Sequence, residues 1–289
     1  MCKPIIETID RFRMAPSGGG QTYAISVYLP EGEHAAESLP IVFVTDADYK
    51  FGMAAEMLGM QCASGVAIPA ILVGIGYGGG FAETAFRRWR DLTLPTTEQA
   101  LADIPLVAAM IGGQTGGAAS FLDFLLNALT AVVRTRYPAA SADRCLIGTS
   151  LGGLFATYAL LTRPEAFGAV IIGSPALYWD RFSVLDYFPT FAEKLQTVPR
   201  KPRVFVGVGG AEEDLPATMP PGSPVSLEQY RDTLVRCRMI SAARELADNL
   251  ARNGSSEVEF VIFEGEGHQQ VGPSVLNRGL RFVLSATRD

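Results

Sequence analysis

Short apolar runs at 41–45, 68–75, 144–148, 169–173, 203–208 and 257–263 recur through this sequence, most of them followed by helical spacing. A run such as Ile41-Val42-Phe43-Val44-Thr45 shows no alternation of polar and apolar positions. That is how a strand reads when both its faces are covered, as in a parallel sheet between two layers of helices. Helices are predicted at about 51–63, 119–136, 151–162, 184–195, 226–252 and 273–286. In the second of these, Phe121, Leu122, Leu125, Leu126 and Leu129 form one apolar stripe. The succession predicts an α/β fold, a mostly parallel twisted sheet with helices on both faces. Ahead of it, 5–13 and 21–29 read as two strands joined across Ser17-Gly18-Gly19-Gly20. The second of them alternates as a half-buried antiparallel strand does. Between 76 and 118 the pattern dissolves into Gly, Pro and Arg. One domain over 1–289 is expected, with 76–118 and 174–195 as loop or lid elaborations around a site.

Composition removes several function classes. At 48% hydrophobic and 19% charged, the 289 residues cannot be a disordered chain. Lys and Arg number 24 against 30 Asp and Glu, a formal charge of −6, and no basic block is present. A nucleic-acid partner is therefore not expected. Cys2, Cys62, Cys145 and Cys237 are too far apart for a disulfide framework or a structural zinc site. Residues Met1 to Asp10 carry no apolar signal core, and no stretch approaches the ~18 apolar residues of a membrane helix. A soluble cytoplasmic protein with no membrane partner is the expectation. The sequence does not set its oligomeric state.

The residues that carry chemistry start at Gly148-Thr149-Ser150-Leu151-Gly152, a G-x-S-x-G motif between an apolar strand and an apolar helix. In that context the serine occupies a strained turn, with its hydroxyl exposed at the carboxyl edge of the sheet. The helix that follows offers free N–H groups where an oxyanion would develop. Ser150 is the candidate nucleophile, and it needs a base. Only His34 and His268 are available. His34 lies in a polar turn before the serine. His268 follows the last strand in Glu264-Gly265-Glu266-Gly267-His268, where the chain order Ser, acid, His places the base. The acid belongs after the penultimate strand, where Glu212, Glu213 and Asp214 stand in succession. Glu212 is preferred, with Asp180 after strand 169–173 as another location. The oxyanion donors are expected to be the backbone N–H groups of Leu151 and, within one residue, Asp48.

Together these segments resemble a family of α/β-hydrolases, the putative esterases, which includes bacterial siderophore (trilactone) esterases and relatives of esterase D. The resemblance runs through Leu29-Pro30, Val44 to Tyr49, Arg90-Asp91-Leu92-Thr93, Leu146 to Gly153, Arg163 to Phe167, Gly173 to Trp179 and Glu264 to His268. It departs from the family's usual Asp-Gly at Asp46-Ala47. It implies an α/β-hydrolase fold and a cofactor-independent, metal-free serine esterase acting on a small-molecule ester. Family members build the mouth of the site from the segment corresponding to 76–118. There Arg87, Arg88 and Arg90 cluster, and Arg90 is the expected anchor for an anionic substrate group. Tyr178 and Trp179 are expected to wall an apolar acyl or aryl pocket, although aromatics after a strand are as often core.

Other readings compete. Gly74-Ile75-Gly76-Tyr77-Gly78-Gly79 matches a dinucleotide fingerprint, with Glu98 downstream, but it follows the second buried strand rather than the first. Gly112-Gly113-Gln114-Thr115-Gly116-Gly117 lacks the lysine of a phosphate loop and reads as a lid or turn. Two isolated histidines cannot form a hydrolytic metal site. An acyltransferase, a thioesterase or a non-catalytic binder could use the same fold. Product analysis with a competing nucleophile separates transfer from hydrolysis.

Overall fold

The computed structural model describes residues 8–16, 21–35, 38–215, 225–255 and 257–286. Residues 5–7 of the first expected strand, the turn at Ser17–Gly20, most of the 209–225 loop and Cys2 lie outside them. Strands β1 (Asp10–Met14), β2 (Tyr23–Tyr28), β3 (Leu39–Thr45), β4 (Ile71–Gly76), β5 (Ala139–Thr149), β6 (Ala169–Gly173), β7 (Arg203–Gly209) and β8 (Glu257–Phe263) form one sheet. Its order is β1-β2-β4-β3-β5-β6-β7-β8. Strands β3 to β8 run parallel; β2 runs against them, so that its pairings with β1 and β4 are antiparallel. This is the mostly parallel α/β sheet expected from the strand pattern and the α/β-hydrolase fold that the family resemblance implies.

Helices α1 (Ala47–Ala63) and α11 (Gly272–Val283) cover one face, where Phe51, Leu58, Val275 and Leu280 are buried with Val42, Val44 and Ile171. The opposite face carries α2 (Phe81–Leu92), α5 (Ala118–Asp123), α6 (Thr130–Arg136), α7 (Leu151–Thr162) and α10 (Met239–Arg252). Its core includes Trp89, Phe121, Phe155 and Leu246. The smaller helices are α3 (Glu98–Ala102), α4 (Pro105–Met110), α8 (Phe188–Leu195) and α9 (Leu227–Cys237).

Several expectations need correction. The 76–118 segment is largely helical, because α2 buries a polar face. Thr84, Arg87 and Asp91 are 1%, 5% and 2% exposed, the reverse of the usual amphipathic rule. The expected helix at 226–252 is two, α9 and α10, broken at Arg238, whose backbone is left-handed (φ 47°). Near 184–195 a 3-10 stretch, Trp179–Tyr187, precedes α8, and its Asp180, Arg181 and Phe182 are all left-handed. One helical run, Ala118–Arg136 with 19 residues, is long and apolar enough to cross a membrane by length and composition alone. It is not one apolar run in the sequence, because Asp123, Asn127 and Arg134 interrupt its polar side; its apolar stripe, Phe121 to Val133, is buried in the core.

Candidate active site

The parallel strands end on one edge, so the turns after β3, β5, β6, β7 and β8 converge there, where ligands bind in open α/β sheets. Between β5 and α7 stands Ser150 alone, at φ 60° and ψ −120°. A non-glycine residue costs about 1–3 kcal/mol in such a conformation and keeps it only when its surroundings enforce it. Here they do: Ser150 N–H donates to Gly173 O (2.9 Å), and Ser150 O accepts from Leu154 (3.0 Å) and Ala176 (3.1 Å). The flanking glycines are steric requirements. A Cβ on Gly148 would stand 1.8 Å from Gly152 O, and one on Gly152 would stand 2.4 Å from Thr45 Oγ1.

Ser150 Oγ lies 3.0 Å from His268 Nε2, and His268 Nδ1 lies 2.7 Å from Glu212 Oε2. His268 comes from the turn between β8 and α11, and Glu212 from the turn after β7. The other oxygen of Glu212 accepts from Gly209 N–H (2.8 Å) and from the Ser174 hydroxyl. An ionised carboxylate can only accept, so Nδ1 carries the imidazole proton and Nε2 presents its lone pair to Ser150. The carboxylate is enclosed while the imidazole side chain is 36% exposed.

The remaining acid candidates are engaged elsewhere. Glu213 accepts from Ile240 N–H (2.8 Å), Asp214 is exposed, and Asp180 accepts from the Thr96 hydroxyl (3.1 Å). His34 meets Pro30 O at 3.1 Å, in the connection from β2 to the start of β3, at the opposite end of the strands from the carboxyl-edge turns. Leu151 opens α7, and Asp48 lies in the first turn of α1. The Asp48 carboxylate accepts from Tyr77 N–H (2.7 Å) and Gly78 N–H (2.9 Å), which ties the glycine-rich turn after β4 to α1. The second glycine segment is likewise pinned: Gly117 N–H donates to Arg90 O (2.7 Å) and Gly116 N–H to Thr93 Oγ1 (3.1 Å).

Arg90 is not placed as a free anchor. Its Nε donates to Asp91 (2.6 Å) and its Nη2 to the Tyr23 hydroxyl (3.3 Å), which also donates to Asp91 (3.0 Å). Arg87 donates to the carbonyls of Tyr77 and Thr22. It is Arg88 that reaches the carboxyl edge, where Nε and Nη2 each donate to Asp46 at 2.8 Å. Lys50 stands 3.5 Å from the same carboxylate and donates to Thr149, the neighbour of Ser150. Burial alone would raise the Asp46 pKa, but Arg88 and Lys50 outweigh it and hold the carboxyl below its ordinary value. Burial pushes the Lys50 ammonium down, Asp46 opposes that, and Arg88 adds to it.

Trp179 does not wall a pocket. It is fully buried, donates through Nε1 to Leu94 O (2.8 Å) and packs on Trp89. Tyr178 is half-buried at the edge itself. Burial raises its phenol well above the ordinary range, Cys237 and Glu212 push it further, and Arg88 opposes them. Asp46, Lys50, Thr149 and Ser174 are residues the motifs did not single out. A signal for the first two exists on α2: Thr84, Arg87, Arg88 and Asp91 repeat at the spacing of an apolar stripe, the mark of a polar face turned inward.

Compared with known proteins, residues 19–259 match the family model described as "Putative esterase". The chain is 31% identical over 281 residues to the ferri-bacillibactin esterase BesA of Bacillus subtilis, covering 94% of this chain and 88% of that protein. It is 32% identical over 275 residues to a siderophore triacetylfusarinine C esterase of Aspergillus fumigatus, covering 90% and 88%. Among solved structures, the siderophore hydrolase EstA of Aspergillus nidulans superposes with a TM-score of 0.80 at 23% identity, over 96% of this chain and 94% of that one.

Proposed function

The chain belongs to this esterase family and is a carboxylic-ester hydrolase of the α/β-hydrolase fold; from that premise we propose a serine mechanism through an acyl-enzyme. The observation that carries it is the unbroken relay from Ser150 Oγ through His268 to Glu212, at 3.0 Å and 2.7 Å. Ser150 attacks the ester carbonyl while His268 Nε2 takes its proton, and the imidazolium then protonates the departing alcohol. Water repeats the sequence on the acyl-enzyme and frees the acid. Glu212 holds the tautomer and stabilises the imidazolium without accepting its proton. Developing charge on the carbonyl oxygen meets the N–H groups of Leu151 and of the first turn of α1, near Asp48.

The substrate class we propose is an ester of the siderophore type, on the strength of the relatives' names and their coverage. Comparing wild type with Ser150→Ala and His268→Ala on a short p-nitrophenyl ester tests the mechanism. Each substitution should lower kcat by roughly 10⁴–10⁶-fold with the fold intact. A folded Ser150→Ala protein that turns over at the wild-type rate would sink the proposal.

A further inference from the structure

We infer that Asp46, gripped by Arg88 and Lys50, is a positioning residue for the transition-state oxyanion. The inference rests on the serine-esterase reading above and adds residues to it.

Asp46 is the N-cap of α1, yet it does not cap. An N-cap aspartate ordinarily turns its carboxylate back to accept from the N–H groups of the first helical turn. Here the backbone is left-handed (φ 54°, ψ 39°), the side chain makes no capping bond, and the carboxylate goes to Arg88 instead. That conformation costs a non-glycine residue roughly 1–2 kcal/mol. The outcome is a helix start that the carboxylate does not cap: Tyr49 N–H donates to the Asp46 carbonyl (3.1 Å), and the side chain is left to fix the turn from outside. That helix start sits beside the nucleophile turn. A Cβ on Gly152 would lie 3.4 Å from Asp46 Oδ2 and 2.4 Å from Thr45 Oγ1, so the α1 and α7 starts are in direct contact.

Two ties fix that contact on either side of Ser150. Asp46 abuts Gly152, two residues after the serine, and Lys50 donates to Thr149, one residue before it. Arg88, from α2, is the outside clamp: its two-pronged fork fixes both the position and the plane of the carboxylate. Arg88 and Lys50 stand against Asp46, which is 1% exposed, with the Asp48 carboxylate on the same turn. What the cluster supplies is placement: it fixes the start of α1, and with it the oxyanion donors, before the reaction begins.

The test uses Asp46→Asn, which keeps shape and tolerates a left-handed backbone. It also uses Arg88→Lys, which keeps charge but loses the fork, and Lys50→Met, at a partly exposed site that the core does not depend on. Each is measured on a neutral p-nitrophenyl ester and with a trifluoromethyl ketone, which adds to the serine as a tetrahedral oxyanion. A small shift of the oxyanion donors should lower kcat by roughly 10²-fold while leaving KM nearly unchanged. Ketone affinity should fall by the same factor as kcat/KM. A purely structural role would lower thermal stability while leaving kcat and ketone affinity of the folded enzyme intact, and that result overturns the inference. So does a rise in KM alone. Should Asp46→Asn not fold, the two milder variants give the same readout. Ser150→Ala runs beside them. If it is as active as wild type, the esterase mechanism itself fails; if it is dead while the three variants match wild type, only the positioning role fails.

Discussion

Asp46 and Asp91 are both buried carboxylates engaged by arginines of one helix, α2, and their pKa values are displaced in opposite directions. Asp46 receives both prongs of Arg88 at 2.8 Å with Lys50 nearby, and its pKa falls below the ordinary value. Asp91 has Arg90 Nε and Nη2 crowded on one oxygen, each at 2.6 Å, and the Tyr23 hydroxyl on the other, and burial wins, raising its pKa. The difference teaches that proximity to an arginine does not set the direction of a buried carboxylate's pKa shift; a fork spread over both oxygens opposes burial better than one crowded on a single oxygen. It also separates a carboxylate at the reacting edge from one that joins α2 to β2.

A third buried carboxylate, Glu212, sets the upper end of the scale. Glu212→Gln should lower kcat by roughly 10⁴-fold, because an amide permits the wrong imidazole tautomer. Loss of less than tenfold would place the relay's orienting group elsewhere. Next come the Asp46 and Arg88 variants described above, at roughly 10²-fold in kcat. Asp91→Asn should leave kcat alone and cost stability instead, about 1–3 kcal/mol by chemical denaturation at acid pH, since Tyr23 and Arg90 lose an enclosed partner. Equal loss of kcat in the Asp46 and Asp91 variants would erase the distinction.

The two aspartates should also respond to pH with opposite sign. Asp46 has a folded pKa below its unfolded value, so its stabilisation is present above the ordinary carboxyl pKa of about 3.9 and is lost as pH falls below it. Asp91 has a raised folded pKa, so its contribution is greatest below the ordinary value and is lost as pH rises through the folded one. Denaturation of wild type against each Asn variant across the acid range should show the Asp46 gap closing at low pH and the Asp91 gap closing at higher pH. The smallest expected effect is on substrate binding: Arg90→Ala should leave KM for anionic esters unchanged, because its guanidinium is already committed to Asp91 and Tyr23.

What was legible in the sequence was local. Strand 169–173, helix 151–162 and strand 257–263 match the structure because each is set by its own apolar pattern and bounding turns. Ser150, His268 and Glu212 meet because each follows its own strand at the same sheet edge, an order readable along the chain. The rest depended on partners distant in sequence. Helix α2 was hidden because its inward face is charged, and its carboxylate partner Asp46 lies 42 residues away from Arg88. Trp179 reads equally as pocket wall or core in the sequence, because its indole partner, Leu94, sits in that same segment, 85 residues away. The break at Arg238 has no glycine or proline to announce it; the arginine caps over the Phe182 ring at 5.7 Å and pairs with Glu245. A groove of about 820 Å³ at the amino ends of β7 and β8, lined by Arg200, Arg203, Arg278 and Arg281, was equally invisible. It lies across the sheet from Ser150, with Arg203 and Arg278 paired to Glu257 and Glu259.

The most direct test of a serine nucleophile oriented by His268 is covalent capture with a fluorophosphonate, read by intact-protein mass and peptide mapping. Wild type should gain a single adduct on Ser150, His268→Ala should label far more slowly, and Ser150→Ala should gain none. An adduct on Ser150→Ala as fast as on wild type, or an unlabelled wild-type protein that still hydrolyses esters, would contradict the mechanism.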